Sequence, residues 1–179
     1  MQLAYIHMLT NHVPILGTFF GIFLLACGFV SHNQTLKTAA YMVFALAAVG
    51  GVIANLTGDA AAHLAKTIPG VTRERIKAHE ESADLTTIAM CLLGAASLAG
   101  LWFGRMKPAY NRMLAVGIGI LSLIALGLAA RTGQLGGKIR HTEFAGPASA
   151  AALGTAPAAD PGTAPEAGKV GAPAESGGQ

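Results

Sequence analysis

A chain of 179 residues that is 53% apolar and only 12% charged, with a mean hydropathy of +0.51, has too little charge to coat a soluble domain. The net charge of +3 and isoelectric point near 9.1 come from basic residues in short loops rather than along a stripe. That pattern argues against a nucleic-acid partner.

The first segment, MQLAYIHMLTNH, has no basic n-region, and the apolar run after it lacks a small-x-small cleavage site. That run is therefore expected to stay as an anchor. Four runs of 18 or 19 residues, at 13–30, 39–56, 85–103 and 113–130, contain no Asp, Glu, Lys, Arg or His. At about 1.5 Å per residue each spans roughly 27–28 Å, enough for a hydrocarbon core of about 30 Å. The runs do not alternate, and lipid-exposed strand edges would leave backbone groups unpaired. The expected fold is all-α: an integral membrane four-helix bundle of two antiparallel hairpins over residues 1–145. A disordered Ala/Pro/Gly-rich tail is expected over 146–179. Cys27 and Cys91 lie inside apolar runs and read as small core residues rather than a disulfide or thiolate site.

The links 31–38 and 104–112 are short, whereas 57–84 is longer. In the longer link Pro69-Gly70 predicts a turn, and Thr72 predicts the N-cap of a helix running into the third span. That helix would project about three turns beyond the lipid, placing His79, Glu80, Glu81 and Asp84 at the interface. Gly17 and Gly21, with Gly117, Gly119 and Gly127, predict close helix contact or room for a flat cofactor. The stretch RTGQLGGKIRH after the fourth span reads as an exit loop. Gly133, Gly136 and Gly137 would permit tight turns there, and a backbone nest for an anion ringed by Arg131, Lys138 and Arg140. The short-loop side carries Lys37, Arg105, Lys107 and Arg112 and no acid, and the other eight Lys/Arg mix with all nine acids. The flanks of the first span favour termini on the outer face, against the raw basic count.

Histidine carries the chemical signal. His7, His12, His63, His79 and His141 fall on one side of the membrane and His32 on the other. Each hairpin repeats a histidine, a Thr-Gly at the end of its descending helix, and a second histidine: His12, Thr57-Gly58, His63, then His79, Thr132-Gly133, His141. Two such hairpins can be related by an axis along the membrane normal, making His12 and His79 equivalent across it. Paired imidazoles suit the axial positions of a b-type haem, with Arg131 and Arg140 available to propionates. A copper or zinc centre drawing on His12, His63, His79 and His141 is the alternative, and interfacial histidines meeting headgroups and water the plainest one. There is no CxxCH, and His79-Glu80-Glu81 has Ala83 where a metalloprotease helix needs its second histidine. His7 and His12, five apart, do not share a helical face.

The blocks HMLTNHVPILG (7–17), TG after the second span, AHEES (78–82) and RTGQLGGKIRHTE (131–143) resemble small bacterial four-helix inner-membrane proteins grouped as domain-of-unknown-function families. The resemblance covers residues 3–143. It implies the same fold in a bacterial inner membrane, and some relatives look like haem-bearing redox subunits.

Three functions are weighed. In the first, an electron-transfer subunit holds haem b near the outer face through His12 and His79 and links quinol to a periplasmic cytochrome or redox enzyme. The second is an accessory or anchor subunit of a respiratory or photosynthetic complex. The third is a metal-ion permease or sensor, disfavoured because the spans hold no charged residue or histidine. No nucleophile–base pair or phosphate loop is present, so the chain is not expected to be an enzyme by itself.

Overall fold

The computed structural model describes residues 2–106 and 111–140, which form six α-helices. These are α1 (Gln2–Thr10), α2 (Val13–Val30), α3 (Gln34–Leu56), α4 (Gly58–Ala65), α5 (Arg73–Met106) and α6 (Asn111–Arg140). There are no strands among the described residues. The expected tail and His141 lie outside them. Four helices, with α1 and α2 counted as one, are long and apolar enough to cross a membrane.

Local chemistry explains the breaks. Between α1 and α2 the chain turns at Asn11-His12, and Pro14 enters the first turn of α2, where its missing N–H costs nothing. Asn33 caps α3, its Oδ1 accepting from the amides of Thr35 (2.8 Å) and Leu36 (3.3 Å). His32 beside it takes a positive φ of 52° to turn the hairpin. The turn at Pro69-Gly70 forms with Gly70 at φ 81°. Thr72 then starts α5: its carbonyl accepts from Ile76 N at 3.3 Å. The Glu74 carboxyl is held below its usual range by its own backbone amide and by the Thr72 hydroxyl. At 34 residues α5 is on the order of 50 Å long, so residues 73–84 project beyond the apolar run that begins at Leu85, as expected.

Three expectations are corrected. Thr132-Gly133 does not end the fourth span, because α6 continues unbroken to Arg140. None of Gly133, Gly136 and Gly137 has positive φ, so no turn or nest forms there. Close approach is what two of these glycines permit: a Cβ on Gly133 would lie 2.9 Å from Ile15 Cδ1, and one on Gly136 3.1 Å from His79 Cε1. The cysteines are not core residues either. Both are free; Cys91 is exposed and Cys27 half-buried.

Helix α3 packs against α2 and α5, and α6 packs against α5 and α2, closing a four-helix ring. Small residues set the spacing, since a Cβ on Gly17 would lie 2.8 Å from Ala47 Cβ and one on Gly94 2.7 Å from Ala48 Cβ. The core holds Leu25, Ala40, Phe44, Met90, Leu93 and Ile118. Outside it Phe19, Phe20, Phe23, Leu46, Leu92 and Leu123 are exposed, the surface a bilayer solvates.

Burial recurs between the hairpins. Ala4, Pro14, Thr18, Gly21, Leu25 and Gly28 are buried, and so is the residue 72 positions after each: Ile76, Thr86, Met90, Leu93, Ser97 and Gly100. The returning helices repeat at a slightly longer offset, with Ala40, Phe44, Ala47 and Gly51 matching Ile118, Ser122, Ala125 and Ala129. Thr18 Oγ1 donates to Met90 Sδ at 3.6 Å. Equivalent residues that touch each other lie on the axis relating the halves, so a pseudo-two-fold runs between Thr18 and Met90.

Candidate paired-histidine site

This repeat places His7, not His12, opposite His79. His7 sits on α1, and its Nδ1 lies 2.7 Å from the carbonyl of Ala54 near the end of α3. His79 sits on the projecting part of α5, with Nδ1 3.0 Å from the carbonyl of Thr132 on α6. A carbonyl oxygen only accepts, so in both rings Nδ1–H donates and the proton of the neutral imidazole is fixed there. The lone pair on each Nε2 is thereby left available. Four residues beyond each accepting carbonyl stands a glycine beside the ring. A Cβ on Gly58 would lie 3.9 Å from His7 Cε1, and a Cβ on Gly136 3.1 Å from His79 Cε1.

The second hairpin braces its histidine further. Thr132 Oγ1 lies 2.7 Å from Ser82 Oγ and 2.8 Å from Thr86 Oγ1, and it donates to the carbonyl of Leu128 at 3.1 Å. Thr86 Oγ1 donates to the carbonyl of Ser82 at 2.8 Å. Ser82 and Thr86 are buried, so this chain of hydroxyls ties α5 to α6 one turn from His79. The matching positions in the first half are Thr10, Pro14 and Ala54, which cannot form the same network. Across the bundle, Asn55 Nδ2 donates to Asp84 Oδ1 at 3.0 Å.

Both histidines are half-buried. Burial pushes His79 below its ordinary pKa; the Thr132 carbonyl opposes that, the charge of neighbouring His7 adds to it, and Glu80 opposes it. This favours the neutral ring, the form that can ligate or accept a proton.

His12 lies in the α1–α2 turn and is exposed, His63 is exposed on α4, and Arg131 is exposed on α6. The Arg140 side chain and His141 lie outside the described residues. Among those residues no three of His, Cys, Asp and Glu come together to hold a metal ion. Glu80, Glu81 and Asp84 are exposed, with Glu81 3.8 Å from Lys77 one turn earlier. Reasoning from the sequence passed over His7 and the Ser82–Thr86–Thr132 hydroxyls. The signal for His7 was its 72-residue offset from His79, together with NQTL (33–36) returning as NRML (111–114) and GDAAAH (58–63) as GGKIRH (136–141).

Residues 4–144 match the family described as "predicted membrane protein (DUF2231)". The chain belongs to that family. The match takes in both hairpins and both carbonyl-locked histidines. Membership and four long apolar helices together make the chain a multi-pass membrane protein in contact with lipid. No curated protein and no solved structure matches it.

Proposed function

We propose that the protein is a membrane electron-transfer subunit in which His7 and His79 hold a b-type haem near one face of the bilayer. The observation that carries this reading is the repeated device around each ring: an Nδ1–H locked on a carbonyl of the packed neighbouring helix, an available Nε2, and a glycine four residues beyond that carbonyl. Ligating histidines are commonly oriented by such an outer hydrogen bond, which fixes the tautomer and raises basicity. A haem would supply one-electron exchange at this site. His7 and His79 would bind it; Ser82, Thr86 and Thr132 would hold α5 against α6 so that the His79 ring keeps its direction. Exposed Arg131, at the same end, is available to a carboxylate.

In this reading the chain is a redox subunit of a bacterial inner-membrane complex rather than an enzyme by itself. The site faces the periplasm, and electrons pass between quinol and a periplasmic cytochrome or redox enzyme. The ligand pair differs from the His12–His79 expectation because His12 is exposed in a turn, whereas His7 has the carbonyl lock that His79 has.

The test is the visible spectrum of detergent-purified protein, oxidised and dithionite-reduced, after haem-replete expression. A Soret and α-band that persist in His12→Ala and disappear in His7→Ala and in His79→Ala are expected. A featureless wild-type spectrum, or bands that survive the double His7→Ala/His79→Ala substitution, would overturn the proposal. An accessory or anchor role would then be the better account.

A further inference from the structure

At the opposite end of the bundle a cavity of about 300 Å³ opens between the start of α3, the end of α5 and the start of α6. Gln34, Lys37, Tyr41, Gly100, Gly104 and Asn111 line it. Gly100 lets α3 and α6 approach α5 here: a Cβ on it would lie 2.9 Å from Ile118 Cδ1 and 3.1 Å from the Tyr41 ring.

Four features give this cavity a sign. Lys37 is buried, only 7% exposed, with its ammonium 4.8 Å from the centre of the Phe29 ring. That contact offsets part of its desolvation but brings no counter-charge. No carboxylate pairs with it among the described residues, and neither loop at this end, 31–38 or 104–112, contains an Asp or Glu. Tyr41, which lines the cavity, is 3% exposed, and its hydroxyl is buried without a hydrogen-bond partner among the described residues. A buried hydroxyl left unpaired costs about 1–3 kcal/mol, so it calls for a ligand. Asn111 Nδ2 donates to Gln34 Oε1 at 3.0 Å, which uses the acceptor of Gln34 and leaves its NH₂ to donate. Finally, α3 and α6 both begin here, each turning the positive end of its dipole toward this side.

Donors and positive charge converge on a site to which the described residues supply no carboxylate. We propose that this cavity binds a phosphate group, with the Lys37 ammonium as its counter-charge and the Tyr41 hydroxyl and Gln34 amide as donors. Its place at the membrane boundary gives two sources of that chemistry: the phosphodiester of an anionic lipid, or free phosphate from the aqueous phase. This site is separate from the paired histidines and does not depend on their role.

Native mass spectrometry of the full chain, released from detergent after incubation with phosphatidylglycerol or phosphatidylethanolamine, tests it. Phosphatidylglycerol is expected to be retained on the wild type. Retention should fall roughly ten-fold in Lys37→Gln and measurably in Tyr41→Phe, the scale of a lost charge-assisted hydrogen bond. Excess inorganic phosphate that displaces the lipid would identify a soluble anion as the natural occupant, and failure to displace it would identify the headgroup; both support the site. Should Lys37→Gln not fold, Tyr41→Phe, which removes one oxygen, carries the comparison. Equal retention by folded variants and wild type would show ordinary annular lipid and overturn the proposal.

Discussion

His79 concentrates the residue-scale physics. Its ring stands on the projecting turn of α5, half-buried, with Nδ1–H committed to Thr132 and His7 as a neighbour. Burial first, and His7 after it, disfavour the imidazolium in the folded state, so the folded pKa lies below the unfolded value near 6.5. A depressed folded pKa means the unfolded chain binds the proton more readily. The stability this group contributes is complete above pH 6.5 and is lost as pH falls through the folded pKa. Detergent-solubilised protein should therefore melt at progressively lower temperature as pH drops from 7.5 toward 5, and His79→Asn should flatten that dependence. An unchanged pH profile in the variant would show that His79 does not titrate as argued.

Among the elements, glycine position decides how tightly helices meet. Gly17 and Gly117 look alike in an apolar sequence, yet a Cβ on Gly17 would lie 2.8 Å from Ala47 Cβ while one on Gly117 would meet nothing within 4 Å. Gly17→Ala should push α2 from α3 and destabilise the bundle by about 1–3 kcal/mol. Gly117→Ala, facing open space, should change stability by less than about 1 kcal/mol, its helix propensity favouring the fold. Chemical denaturation in mixed micelles, read by helical circular dichroism, separates the two, and equal effects would deny the close α2–α3 approach. The RTGQLGGKIR segment makes the same point. Its glycines suggest turns locally, but contact with Ile15 and His79 keeps it helical to Arg140. Propensity is a weak prior where packing rewards a missing side chain.

For the whole molecule, the polar-out rule of soluble proteins is inverted. Large apolar residues stand outward on every spanning helix, while Thr18, Ser97 and Ser122 are fully buried. Trp102, the sole tryptophan and 68% exposed, reports on this surface. In liposomes its fluorescence should be quenched by lipids brominated along the acyl chain and spared by aqueous iodide. The reverse would place that face of α5 in water.

The pseudo-two-fold organises everything else at this scale: it puts Thr18 against Met90, sets His7 opposite His79, and places the starts of α3 and α6 together at the far end. Apolar run length, the Asn33 and Thr72 caps and the Pro69-Gly70 turn are local properties, so the sequence alone determined four spans, two hairpins and a third helix rising past the lipid. The placement of His7, His12, His63 and His79 at one end was legible for the same reason. Which histidines pair was not, because the carbonyls that lock them lie 47 and 53 residues away along the chain. A repeat read from Thr-Gly landmarks slipped to His12, whereas burial set the register at His7. The cavity around Lys37 and Tyr41 was equally hidden, since its lining comes from α3, α5 and α6, which meet only in the folded bundle. Only tertiary packing decides which polar groups are left without partners, because a buried donor is defined by what the rest of the chain fails to bring it.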